Sequence, residues 1–237
     1  MKEVLALIEK RKQEFAQLPF FKYLQDTSVD PRQRLAWAPC AAPFAMGFGD
    51  LNKYVFRKEP AENKIQEIIN KHTYEDDYHW EWFVEDIEKL EFDRNINFSD
   101  ALRFLWGEET QKSRQICLQI AQYTLQADSI VTLAAIQAIE GTWHTALPFT
   151  MALAQEVQQN TDIKYSYFGR NHADAEIGHT ICQAEMQEFI KNIQLTEEQK
   201  IKAFAVVEKV FDLFSESVQE MMIYAQKHPI EQILQTV

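Results

Sequence analysis

Residues 172–179 read HADAEIGH, and residues 72–79 read HTYEDDYH. In the first stretch His172, Glu176 and His179 stand at i, i+4 and i+7, and in the second His72, Glu75 and His79 stand at i, i+3 and i+7. An α-helix turns about 100° per residue, so each triplet gathers within roughly 60° on one face. Both spacings are therefore those of helices that aim two imidazoles and a carboxylate in one direction. Between them lies Glu140, at the end of the apolar run 134–139, AAIQAI, where a lone ionised carboxylate is costly without a cation. Four of the six histidines fall in the two stretches, and a fifth, His144, lies four residues after Glu140.

The flanking sequence supports helices throughout. Val4, Leu5, Ile8 and Phe15 recur at helical spacing until Leu18-Pro19, which predicts a first helix. From Arg32 to about Arg57 the chain reads as a long, buried helix kinked by Pro39, Pro43, Gly47 and Gly49. Residues Ala61 to Leu90 read as one helix of about eight turns carrying His72, Glu75 and His79. Shorter helices are expected over Ala101–Trp106 and Glu109–Gln126, then a long one from Asp128 to about Gln158 with Glu140. A further helix carries His172, and Thr196-Glu197-Glu198 opens a last amphipathic helix that runs to Gln226. With only six Gly and seven Pro in 237 residues, tight turns are too few for a sheet protein. We expect a single all-α domain over residues 1–237, a multi-helix bundle of about seven to eight helices.

Composition narrows the function. A hydrophobic content of 46% is ample for a large core. The net charge of -12, with no compensating basic patch, argues against nucleic acid and against an anionic membrane surface as partners. The opening MKEVLALIEKRKQEF has a short apolar run followed by charges in helical rhythm, which predicts neither a signal peptide nor a membrane span and a cytoplasmic location. Cys40, Cys117 and Cys182 are odd in number and far apart in apolar contexts, which predicts core thiols without disulfides; Cys182 lacks a motif that would activate it as a nucleophile.

One His/Glu stripe on a helix is ordinary surface chemistry. Two stripes and an apolar-flanked Glu, brought together in a bundle, make a metal centre the better reading. Its candidate ligands are His72, Glu75, His79, Glu140, His172, Glu176 and His179. Three carboxylates and four imidazoles without thiolate suit iron or manganese rather than a closed zinc site, and exceed what one ion takes. Glu140 and Glu176 are the carboxylates expected to bridge and tune the ions. Asp76 and His144 are candidates for contacts to ligands or substrate, and Phe44 and Met46 for lining a substrate cavity where Gly47 and Gly49 allow close approach. Tyr74, Tyr78, Trp80, Trp82 and Trp143 surround the ligands in sequence; most are expected to be core, and one of them is a candidate to shield the site or conduct electrons.

With these residues in view, the chain resembles the haem-oxygenase-like di-metal oxidases and oxygenases, related in fold to the TenA and PqqC proteins and to the chlamydial death-domain-associating protein (CADD). The likeness covers about Arg32 to Met222. Its best part is His172-x3-Glu176-x2-His179, similar to that family's His-x3-Asp/Glu-x2-His helix, with Glu140 at the place of the preceding helix's lone Glu and His79 at that of the first-helix His. The family's Glu-x6-His departs here, since His72 stands where the Glu belongs; either His72 or Glu75 completes that ligand set. The resemblance implies a haem-oxygenase-like, TenA-like fold and an oxygen-dependent oxidoreductase with two iron ions (manganese possible). It further implies dioxygen, an unspecified reductant and a small-molecule substrate: an amine, an amino acid or a fatty acid. Haem is not expected, because no histidine precedes His72 to serve as an early proximal ligand. A metal-independent TenA- or PqqC-like enzyme and a non-catalytic binding protein on the same scaffold are the alternatives. An exposed face of the last helix is compatible with a homodimer.

Overall fold

Residues 129–142 form an unbroken buried run in the middle of the chain. A helix apolar on every side must be surrounded, and in the computed structural model, which describes residues 1–92, 96–159 and 162–230, this one is. It belongs to α9 (Ser129–Gln158), capped by the Asp128 carboxylate, which accepts from the Ile130 and Val131 N–H groups. Around it pack α1 (Lys2–Phe15), α3 (Pro31–Leu35), α5 (Lys64–Asp76), α8 (Gln111–Thr124) and α12 (Glu197–Lys227). The start of α12 carries a complete capping box between Thr196 and Gln199. The remaining helices are α2 (Pro19–Leu24), α4 (Ala38–Leu51), α6 (His79–Lys89), α7 (Phe98–Leu105), α10 (Arg170–Gly178) and α11 (Ala184–Asn192), with short 3₁₀ or π turns at Asn52–Phe56, Glu108–Thr110 and Thr180–Cys182.

The described residues are helical with no strand, as expected, but the helical segments number twelve rather than seven or eight. Two long helices of the sequence reading are divided. The stretch from Arg32 to Arg57 becomes α3, α4 and a π turn, with Pro39 in the first turn of α4, where a missing N–H costs nothing. The stretch from Ala61 to Leu90 begins only at Lys64 and breaks at Asp77-Tyr78 into α5 and α6.

Nothing in residues 71–83 announces that second break; its cause is tertiary. Arg57 donates to the Asp77 carboxylate at 2.6 Å and to Thr73 Oγ1 at 3.0 Å, and its guanidinium lies 3.6 Å from the Tyr74 ring centre. On the other side α4 presses in at Gly49, where a Cβ would lie 2.9 Å from the Asp77 carbonyl oxygen and 3.2 Å from Trp80 Cδ1. Only a residue without a side chain fits there. Gly49→Ala is expected to lower stability by about 1–3 kcal/mol through overpacking against that carbonyl, measurable by urea denaturation. An unchanged midpoint would show that the contact relaxes at no cost.

A buried arginine ties the other end of the bundle. Arg34, 2% exposed, donates to the carbonyls of Leu24 (2.9 Å) and Val29 (3.0 Å) and pairs with Glu156, joining α2 and α3 to α9. No helix among the described residues is long and apolar enough to cross a membrane.

Candidate metal centre

Three chain segments meet at one buried point. α5 and the start of α6 supply His72, Asp76 and His79, α9 supplies Glu140, and α10 with the residue after it supplies His172, Glu176 and His179; all seven are buried. Glu176 is at the centre. Its Oε1 lies 3.1 Å from His172 Nε2 and 3.8 Å from His79 Nδ1, and its Oε2 lies 3.3 Å from His179 Nδ1. Asp76 sits between the first two imidazoles, with Oδ1 2.7 Å from His79 Nδ1 and Oδ2 3.7 Å from His72 Nε2. His72 Nε2 is 3.4 Å from Glu140 Oε1.

Two sets of donor atoms result, each within 4.8 Å: Asp76, His79, Glu176 and His179, and beside them His72, Glu140 and His179. Either could hold a metal ion. The residues fit a cation for a specific reason. Both ring nitrogens of His72 and of His79, Asp76 Oδ2, Glu140 Oε2, Glu176 Oε2 and His179 Nδ1 are buried without a hydrogen-bond partner. Each buried polar atom left unsatisfied costs about 1–3 kcal/mol, so this many around one point demand a partner. His79 Nδ1 and Asp76 Oδ1 are close, yet their directions do not make a hydrogen bond. Donor atoms that converge without pointing at each other are the arrangement a shared ion requires.

Charge points the same way. Burial, and then the carboxylates of Glu176 and Asp76, push Glu140 well above the usual carboxylate range. Burial acts likewise on Glu176, but His172 and His179 outweigh it and hold that carboxyl well below its ordinary value. Burial lowers the His72 imidazole, leaving it neutral and able to offer a lone pair. His172 is oriented by Nδ1, which lies 2.9 Å from the Tyr167 carbonyl; with the proton there, Nε2 faces Glu176.

Glu75 goes elsewhere. Its two oxygens accept from the Thr180 N–H at 2.8 Å and the Thr180 hydroxyl at 2.6 Å, and it belongs to neither donor set. Adjacent residues on a helix point about 100° apart, and the packing of α5 on α9 turns Asp76, not Glu75, inward. The carboxylate that the first stripe contributes is thus Asp76, while Glu75 ties α5 to the turn behind His179. His179 itself is not on the helix: α10 stops at Gly178 and His179 is extended, with φ -59° and ψ 139°.

An aromatic wall surrounds the imidazoles. The His79 ring stacks on Trp82 with centroids 4.5 Å apart, and His172 lies 4.7 Å from Trp143 and 4.8 Å from Tyr167. On the α4 side a cavity with about 30 Å³ of free volume opens onto Asp76, His79, Glu140, His172 and Glu176 beneath Phe44, Phe48, Trp80 and Phe214. Phe44 lines it as expected. Met46 does not: it is 43% exposed, on the opposite side of α4. Gly47 faces Cys117: a Cβ there would lie 3.3 Å from its Sγ. His144 is partly exposed, with Nε2 3.7 Å from Glu140 Oε2. Burial, followed by the negative charge of Glu176, Asp76 and Glu75, raises the Cys182 thiol to about 11, which disfavours a free thiolate where no cation is bound.

The solved structure of a domain of unknown function with a haem oxygenase-like fold, from Shewanella denitrificans, superposes on this chain with a TM-score of 0.62. The match covers 94% of this chain and 90% of that one, at 13% sequence identity. The fold is haem-oxygenase-like. No family model matches the sequence and no curated protein does, so the haem-oxygenase-like architecture stands on structure and the function must be read from the site.

Sequence reasoning missed one residue that builds this site. Asp86 on α6, fully buried, accepts from the backbone N–H groups of Ser166 (2.8 Å) and Phe168 (3.0 Å). Those two N–H groups flank Tyr167, whose carbonyl orients His172. The available signal was its spacing: Asp86 is seven residues after His79 and three after the buried Phe83. Asp86→Ala is expected to leave two buried N–H groups unsatisfied, at about 1–3 kcal/mol each, and to weaken metal affinity roughly 10–100-fold. Metal titration of the folded variant checks this, and an unchanged affinity would remove Asp86 from any part in the site.

Proposed function

We propose that the chain is a non-haem di-metal oxidase or oxygenase that holds two iron ions, or manganese in their place, and acts with dioxygen on a small amine, amino acid or fatty acid. The observation that supports it is the pair of adjacent, buried donor sets of imidazole and carboxylate, unpartnered among themselves and bordered by an apolar cavity. Two bound irons supply the electrons that dioxygen needs in order to react, with an external reductant restoring them.

The chain's own part is to bind, orient and exclude water. Asp76, His79, Glu176 and His179 would hold one ion position, with His172 beside Glu176, and His72, Glu140 and His179 would hold the second. Trp82, Trp143 and Tyr167 keep bulk water from the imidazoles, so that each charge acts in a low-dielectric setting. About 30 Å³ of free space admits a molecule the size of water or dioxygen. A larger substrate enters by displacing the partly exposed Phe48 and Trp80.

The test is anaerobic loading with ferrous iron, elemental analysis, and the optical spectrum on exposure to oxygen. About two irons per chain and a transient absorption on oxygenation are expected. A chain that takes up no specific metal overturns the reading in favour of a metal-free enzyme or binding protein on this scaffold.

A further inference from the structure

Glu140 faces two ways. Its Oε1 lies toward His72, while its Oε2, buried and without a hydrogen-bond partner, lies 3.7 Å from His144 Nε2, an imidazole that is also 4.0 Å from Glu176 Oε2. There a second, more polar cavity of about 300 Å³ opens between α1, α9 and α11, lined by Lys12, Gln137, Glu140, His144, Cys182 and Gln187. Cys182 Sγ is 4.0 Å from His144 Nε2. One donor atom each from Glu140, His144 and Cys182 lies within 4.8 Å of the others.

We propose that Glu140, His144 and Cys182 form an outer metal site for a thiophilic divalent cation of the zinc class, adjoining the inner centre through the shared Glu140 and reached from solvent through the polar cavity. The dimensions suit it. With bonds of about 2.0 Å to nitrogen and oxygen and about 2.3 Å to sulfur, ligand atoms around a tetrahedral ion lie roughly 3.3–3.5 Å apart. The observed 3.7 Å and 4.0 Å close to that with shifts of a few tenths of an ångström. Three protein ligands leave the fourth position open toward the cavity for water, as in zinc sites that are not closed.

Donor chemistry separates the two sites. The inner donors are all nitrogen and oxygen, whereas Cys182 adds sulfur, which favours a softer ion. Binding exchanges the Cys182 S–H bond for a sulfur–metal bond and releases the proton to solvent, with no change in oxidation state. Lys12, the cation at the mouth, is paired with Glu9 at 3.0 Å. Because Glu140 has an oxygen on each side, an ion at the outer site draws on the same carboxylate as the inner centre.

The probe is cobalt(II), added to the full chain under reducing conditions. Cobalt bound to thiolate gives a sulfur-to-metal charge-transfer band in the near ultraviolet, and cobalt at the inner donors gives none. The band is expected in the unmodified protein, lost in Cys182→Ser and His144→Ala, and kept in Cys40→Ser, Cys117→Ser and the inner-ligand variant Asp76→Asn. No band at saturating cobalt, or a band that survives Cys182→Ser, overturns the proposal. Loss of the band in a folded Asp76→Asn protein also overturns it, by merging the two sites. If Cys182→Ser does not fold, zinc protection of Cys182 against alkylation in the unmodified chain decides: about tenfold slowing is expected, and equal rates refute. Failure of the inner centre to hold iron would leave the cobalt band untouched, so the two readings fail separately.

Discussion

Glu176→Ala is expected to empty the inner centre, reducing metal from about two ions per chain to none retained after desalting. Glu176 is the carboxylate that reaches the most imidazoles: His172, His179 and His79 lie 3.1, 3.3 and 3.8 Å from its oxygens. Its loss removes a donor from the set of four and leaves three imidazoles facing a void. The side chain caps no helix end, so the far-UV circular dichroism is expected to stay as it was. The apoprotein is expected to lose stability, because His172 and His179 hold Glu176 ionised and its removal leaves those buried imidazoles without their partner. Elemental analysis after loading reads the outcome, and full metal retention would sink the assignment.

The second large effect separates two neighbours. Asp76→Asn is expected to weaken metal binding at least about 100-fold, more than the loss of a group that only supports a ligand, since its oxygens face both His72 and His79. Glu75→Gln is expected to keep the stoichiometry and to lose about 1–2 kcal/mol of stability, as a charged acceptor for two Thr180 bonds becomes a neutral one. Isothermal titration with ferrous iron and urea denaturation measure the pair. The reverse pattern, with Glu75 needed for metal and Asp76 dispensable, would mean that α5 is rotated from its position in this structure.

What the sequence could and could not disclose follows from range. Features set within one turn were legible: the start of α9 near Asp128, the Thr196 opening of α12, the apolar run that buries α9 and the spacing of His172 and Glu176. Glu140, a carboxylate after Ile139, stood out because its local context is so unfavourable for charge. The break at Asp77-Tyr78 was not legible, since residues 71–83 contain neither Gly nor Pro, and the agents that impose it, Arg57 and Gly49, lie on other elements. The exchange of Glu75 for Asp76 is a rotation of about 100°, set by how α5 lies on α9. Asp86 escaped for a similar reason: its partners, Ser166 and Phe168, are about eighty residues away and only a tertiary contact gives it meaning.

The shortness of α10 has a thermodynamic consequence. It spans nine residues, Arg170–Gly178, well under the ~12–15 at which an isolated helix becomes even marginal in water. Its order is therefore borrowed from outside: from Asp86 through the 165–168 segment, from Glu75 through Thr180, and from any ion gripped by Glu176 and His179. Ion capture and helix formation are then a single linked equilibrium. Whatever tightens the ion slows amide exchange along α10, and whatever frays α10 raises the ion's dissociation constant by the same factor.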